Sequence, residues 1–482
     1  MFSNFNLYFF KPRFKNLGLS LGLGILVGLL VLYLSSVAGN WLFLFTIGLL
    51  LLVFALFARV QQGSWLAPGA FFALYWAVFV LLTLIIAPDF DVRPEGLLWI
   101  LFSVFAVYIG SVIGLGKMLF KTVPSSERQT KIKNLSTYRK SNLNFPWLKQ
   151  LVFLCSILGF GGVIILVLSA GFDISSLFSI ESISKMGREY SIARYSNLTY
   201  REPELAVFLC IFVYLGALFG GVLFAKSSSK RDRLIALFPF IPAMGYMLIL
   251  TTRASVYFTF IIWLSAYLAA YATITKGIIS LFTRRNIVLI LGFALLIFAI
   301  FTGALMSRYA VTIISTDSLF NIWHKLRVDI FGSGAAFTQW FAYHWQDNIL
   351  PSFGIFTFTR PLIMIGMNQF HLPVTLAEIG GFSTNIFTLF YSLIMDFTLI
   401  GSIFILFVVG ILGGRAFCQV IQGRYRCIYL LILMLFYVFT LCGFVGSLFS
   451  YTTILLAWIA FIFYLLFVET GRWLIKINQK MC

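Results

Sequence analysis

Long apolar stretches recur along this chain, each close to the length that a helix needs to cross a bilayer, about 20 residues. They run roughly over 16–37, 41–58, 65–86, 96–115, 150–170, 204–225, 234–250, 256–275, 286–306, 386–414, 427–447 and 451–468. None shows the strict alternation of a barrel strand, and a segment in hydrocarbon must satisfy its own backbone, so each is predicted to be a helix. The first run follows Lys11, Arg13 and Lys15 and is read as an uncleaved first helix. The seventh, with Pro239 and Pro242, is expected to be broken. No repeat relates the two halves, which speaks against a carrier built on inverted repeats.

The polar positions fall into three long segments. Residues 117–149 are basic and rich in serine, and are expected to be a solvated loop. Residues 171–203 mix Lys185, Arg188, Arg194 and Arg201 with Asp173, Glu181, Glu189 and Glu202. Within them the spacing of Ile183, Met186 and Tyr190 predicts a helix lying on the surface. Residues 307–385 form the longest polar segment and hold all three histidines, His324, His344 and His371. They also carry Trp323, Trp340, Phe341, Tyr343, Trp345, Phe353, Phe356 and Phe358, too many aromatics for a solvated linker. A loop that long and that apolar is expected to fold onto the helices as a functional cap.

Composition agrees with this reading. Hydrophobic residues make up 61% of the 482 and charged residues 11%, which places the chain among polytopic membrane proteins. Its 35 basic and 16 acidic residues are unevenly spread. With the amino terminus inside, most of the Lys and Arg fall on cytoplasmic segments, as the bias against translocating positive charge requires. The expected fold is an all-α polytopic membrane protein of about twelve transmembrane helices, both termini cytoplasmic, with one large, partly helical loop over 307–385 on the periplasmic side. The net charge of +19 is then a topology signal and an anchor to anionic lipid, and gives no reason to expect nucleic acid. The six cysteines lie in or beside spans or at the cytoplasmic end, without the spacing of a disulfide framework or a thiolate metal site.

Candidate chemistry lies on the outer side. Arg253 stands alone in the short turn Thr251–Ser255, and Arg308 follows the ninth span. Each is either an interface anchor or one half of an anion clamp, since guanidinium forks match phosphate oxygens in pairs. Arg201 and Arg360 are further cations on that side. His324 reads as surface or packing, His344 sits among aromatics, and His371 lies in an irregular stretch before Glu378; one of these histidines is a candidate general base. Asp89 and Asp91, framed by Pro88 and Pro94, read as an acidic turn rather than a metal-diphosphate site. No P-loop, dinucleotide fingerprint or nucleophile elbow is present.

The stretch from Gly380 to Thr388, followed by Tyr391 and then Asp396–Phe397–Thr398–Leu399–Ile400–Gly401, resembles a signature of bacterial oligosaccharide repeat-unit polymerases of the O-antigen (Wzy) type. There an Asn-x-x-Thr stretch leads into a span beginning Asp-Phe-Gly-x-x-Gly; here Asn385 and Thr388 match, and Thr398 stands where the family has its middle glycine. Thr252–Ser255 and Ser307–Tyr309 are also similar to the family's arrangement, whereas no outer arginine is followed by glycine at the family's eleven-residue offset. The resemblance implies a metal-independent glycosyltransferase without cofactor in a bacterial inner membrane, with its site on the periplasmic face. Its donor and acceptor would be oligosaccharides on undecaprenyl diphosphate, with membrane lipids, a chain-length regulator and a flippase as partners and no nucleic acid. Arg253 and Arg308 would hold the donor diphosphate, assisted by Arg201 or Arg360. His371, His344 or Glu378 would act as base, Asn385 and Tyr391 would contact substrate, and Asp396, an ionisable group at the start of a span, would orient an arginine or cap a helix. An O-antigen ligase, which uses the same donor with another acceptor, and a lipid-linked oligosaccharide flippase are the alternatives.

Overall fold

The computed structural model describes residues 40–116, 145, 147–196, 202–252, 254–275, 302–303, 316–347, 349–366, 376–422 and 427–481. The predicted spans over 16–37 and 286–306, most of the basic 117–149 loop, and Arg201, Arg253, Arg308 and His371 lie outside these residues, save for 302–303 within the ninth span. The fold is that of an all-α polytopic membrane protein: nine helices among the described residues are long and apolar enough to cross a membrane.

In chain order the described α-helices are α1 (Asn40–Gln62), α2 (Pro68–Ile86), α3 (Pro94–Leu115), α4 (Leu148–Ser169), α5 (Ile180–Ser196), α6 (Glu204–Lys226), α7 (Lys230–Ile235), α8 (Phe240–Leu250), α9 (Ala254–Thr275), α10 (Thr316–His344), α11 (Thr359–Met364), α12 (Leu389–Ile421), α13 (Cys427–Leu441) and α14 (Thr452–Met481). The nine spans are α1, α2, α3, α4, α6, α7 together with α8, α9, α12 and the first part of α14. A two-stranded hairpin, β1 (Ala377–Ile379) and β2 (Phe382–Thr384), precedes α12.

Local rules account for many boundaries. Pro68 and Pro94 open α2 and α3 at positions where the missing N–H costs no helical bond, and Glu95 adds a carboxylate to the first turn of α3. Amides at the start of α2 are met from elsewhere: Ala70 N–H donates to Oε1 of buried Gln62, and Gly69 N–H to the Ser111 hydroxyl. The seventh span breaks as expected, but at one proline. α7 ends before Pro239, whereas Pro242 lies in the first turn of α8, where it removes no helical bond.

The tightest crossing is between α3 and α12. Gly110 and Gly114 face Gly410 and Gly414, and a Cβ at any of the four would run into a carbonyl oxygen of the partner helix: Phe407, Ile411, Val107 or Ser111. Small residues four apart on both helices let the backbones touch, and in lipid such packing replaces the hydrophobic drive between helices. The spacing was present in the sequence and is a membrane-packing signal that the apolar pattern alone does not register.

Two ion pairs align segments that share a side. Lys149 reaches Asp232 at 2.7 Å, joining the start of α4 to α7, and Arg327 reaches Asp89, joining α10 to the α2–α3 turn. Both pairs join segments that the charge tally puts on one face. The surface helix also forms as its periodicity expects. Met186 and Tyr190 of α5 are buried against the small core around Val163 and Tyr246, and Lys185 and Arg188 are exposed.

Candidate functional site

The cap begins with α10. Its Val328, Ala335, Ala336 and Phe337 are fully buried in the main core, so this part of the long polar segment is a packed helix rather than a solvated cover. Arg327 anchors it: Nη1 and Nη2 donate to the two carboxylate oxygens of Asp89 at 2.6 and 2.9 Å, and Nη1 also donates to Ile86 O. Gln339 donates to Asp91 O at 2.9 Å, and Arg93 N–H to the Thr338 hydroxyl. Asp91 pairs with Arg93. The acidic turn therefore serves as a dock for the cap, and no metal-binding cluster of His, Cys, Asp and Glu occurs among the described residues. Partial burial pushes the Asp89 carboxyl up, but its hydrogen bonds from Arg327 and from its own backbone amide, with the charge of Arg327, outweigh this and hold it below the usual value.

His324 is the second anchor. Its Nδ1 lies 2.8 Å from Arg327 Nη2 and its Nε2 lies 2.7 Å from the carbonyl of Gly380 at the hairpin tip. With Arg327 donating to Nδ1, the imidazole carries its proton on Nε2 and donates it to that carbonyl. The hairpin turns on Gly380 and Gly381, with φ of +56° and +81° between the paired Ile379 and Phe382, the left-handed pair that a two-residue hairpin loop demands. Gly-Gly between short apolar runs is a hairpin signal in its own right.

The element after the cap is organised on Asp396. This residue is fully buried inside α12, two positions before the helix breaks at Thr398 (φ 66°, ψ 178°). Its Oδ1 accepts from the Ser352 hydroxyl and from Phe356 N–H at 2.9 Å; its Oδ2 accepts from Thr357 N–H at 2.8 Å and from the Thr357 hydroxyl. The last turn before the break has carbonyls without helical partners, and two of these are met by the same loop: Ser352 N–H donates to Met395 O and Phe353 N–H to Asp396 O. Six hydrogen bonds thus weld residues 352–357 to the break. Ser447 donates to Thr357 O, and Leu389 N–H to Gly443 O, so the α13–α14 connection joins the same assembly.

An aromatic shelf runs from this assembly to the end of α10. Tyr391 stacks on Phe387 at 4.5 Å and meets Trp340 and Phe356 edge-on at 4.8 and 5.7 Å. Trp340 lies 5.6 Å from the ring of His344. His344 closes α10 and places Nδ1 2.6 Å from Asp347 Oδ2, with both side chains about half exposed. A carboxylate on Nδ1 fixes the ring and leaves Nε2 toward solvent as the proton acceptor.

The structure divides the predicted site residues into distinct groups. His344, Glu378 and Asn385 are exposed on the cap side. Tyr391 is buried, and its ring packs against Phe387, Trp340 and Phe356. Asp396 lies inside α12 rather than at a helix start, and its four donors are amides and hydroxyls of the 352–357 loop. Arg360 is the second residue of α11, eight residues on from Ser352. On either side of Arg253, α8 ends at Leu250 and α9 begins at Ala254, and Ser255 donates back to Ala243 O. Sequence reasoning missed Ser352, Thr357 and Asp347; the breakers Pro351 and Gly354 were the available signal for the loop.

No family model matches this chain, and no curated protein or solved structure is similar to it. What the site offers chemically is an orienting carboxylate beside an exposed imidazole, exposed aromatic faces at Tyr343 and Trp345, and a loop that is rigidly placed next to a helix break.

Proposed function

We propose that this chain polymerises lipid-linked oligosaccharide repeat units on the cap side of a bacterial inner membrane. In this reading the growing glycan passes from undecaprenyl diphosphate to a sugar hydroxyl at the non-reducing end of a new repeat unit. The bond from the anomeric carbon to the diphosphate oxygen breaks, the bond to the acceptor oxygen forms, and the diphosphate leaves with the electron pair. Arg253 and Arg308, with Arg201 or Arg360, neutralise the charge that develops on the leaving group. The acceptor proton goes to an imidazole; among the described candidates His344 is the one with an orienting carboxylate, from Asp347.

The observation that carries the reading is the backbone at Thr398. This is the place where the resembling polymerases have glycine, and its φ of 66° with ψ of 178° belongs to a region that glycine alone adopts readily. Asp396, the first residue of that motif, holds the loop that leads to Arg360. The family's aspartate and its middle glycine thus each have a structural reason at these two positions, although of the two this chain keeps only the aspartate and carries threonine at 398.

The test is replacement of Arg253 and Arg308, singly, by alanine and then by lysine in cells making the polymer. Loss of polymer with accumulation of lipid-linked single repeats is expected for all four variants, because lysine cannot reproduce the paired contacts of a guanidinium. Polymer of normal length in both alanine variants overturns the reading, and loss of transfer to a lipid A core with polymer intact on its lipid carrier favours a ligase.

A further inference from the structure

Residues 349–366 carry a single charge, at Arg360, and are otherwise apolar, Pro, Gly, Ser or Thr. They follow a helix that packs as part of the cap, and Ile349 and Phe356 pack against the main core, but several of their other large side chains do not turn inward. Leu350, Phe353, Met364 and Ile365 are 69–80% exposed. The backbone that carries them is nonetheless well satisfied. Ser352 and Phe353 N–H go to the freed carbonyls of α12, Phe356 and Thr357 N–H to Asp396, and Phe358 and Leu362 N–H to Gly354 and Phe358 O. Closed backbone with open apolar side chains is the reverse of what water selects. It is what hydrocarbon requires of a non-helical segment.

The neighbouring surface has the same character. Beyond the break at Thr398, α12 exposes Ile400, Phe404 and Leu412, a ridge with the four-residue spacing of one helix face. α12 is one of the spanning helices, and an exposed apolar ridge along such a helix faces lipid tails. Phe353 is bonded through its amide to the carbonyl of Asp396, four residues before Ile400, so the loop is held next to the start of that ridge.

We infer that residues 349–366 are a re-entrant element seated in the interfacial layer of the bilayer on the cap side, with Leu350, Phe353, Met364 and Ile365 among the acyl chains of membrane lipid. The Asp396 cluster makes this possible, because each carboxylate oxygen accepts two hydrogen bonds and the bonded amides of the loop are satisfied, which lowers the cost of desolvation. This inference does not depend on the glycosyl-transfer reading and holds for any activity of the chain.

The experiment places a nitroxide at Phe353→Cys, Leu350→Cys and Met364→Cys, one at a time, in the full chain reconstituted into vesicles of phosphatidylcholine and phosphatidylglycerol. Unsubstituted protein, treated in parallel, corrects for labelling of native cysteines. The reference is Tyr343→Cys, near the end of α10 and 72% exposed. Collision with molecular oxygen, which concentrates in lipid, is compared with collision with a water-soluble nickel chelate. The expected oxygen-to-nickel ratio is several-fold higher at 350, 353 and 364 than at 343. Equal ratios place the loop in water and overturn the proposal. Low collision with both reagents at these positions means that protein covers them, and overturns it as well. Three positions keep the test valid if one variant fails to fold.

Discussion

At the scale of single residues, Thr398 and Asp396 show how one motif bends a helix. A β-branched side chain at φ 66° and ψ 178° costs about 1–3 kcal/mol, and the six hydrogen bonds to the 352–357 loop offset that cost. Thr398→Gly removes the strain and adds only the smaller entropy of a freer unfolded chain, so it is expected to stabilise by about 1 kcal/mol. Thermal unfolding in detergent checks this, and a lowered midpoint contradicts the account of the break. Asp396→Asn keeps the volume but turns an amide NH2 toward donors that need acceptors. A loss of about 2–3 kcal/mol is expected from the same measurement. The sequence marked Asp396 as unusual because an ionisable group at a span is rare. It could not show which partners the carboxylate takes, because Ser352 and Thr357 are some forty residues away along the chain and are brought in only by the fold.

At the scale of elements, the cap is held by charge and two of the spanning helices by small residues. The Asp89 carboxyl sits below its ordinary value in the folded protein, so its pairing with Arg327 contributes stability above the unfolded value of about 3.9 and loses it as pH falls through the lower folded value. The protection factors of amides along α10 and the hairpin, the intrinsic exchange rate at each pH divided by the observed rate, are therefore expected to be steady from pH 7 to pH 5 and to fall below about pH 4. Arg327→Gln should remove that step and leave faster exchange at every pH. The α3–α12 crossing makes a different demand. Gly410→Val puts two methyl groups where Val107 O already stands, and overpacking of this kind costs about 1–3 kcal/mol or prevents the crossing. A sharp fall in folded protein recovered from membranes is expected, while valine at the cap-side Gly366, where an added Cβ meets nothing within 4 Å but φ is +87°, should show only the smaller cost of backbone strain.

At the scale of the whole molecule, an all-helical membrane fold follows from composition and run length alone. Hydrocarbon leaves a chain of this apolarity few alternatives to helices of spanning length, and nine described helices meet that standard. The helix over Ile180–Ser196 and the break near Pro239 were also legible, because each depends on residues close together in the chain. Other features were decided only by the tertiary structure. The long polar segment separates into a packed helix, a Gly-Gly hairpin tied to His324 and an apolar loop tied to Asp396. His324 changes from a surface or packing residue to a link between α10 and the hairpin, and the acidic turn becomes the partner of Arg327. Periodicity reports which side of an element is apolar, since that is written every three or four residues. Hydrogen-bond partners and ion pairs are chosen by whatever the fold brings within 3 Å, and no local pattern encodes that choice.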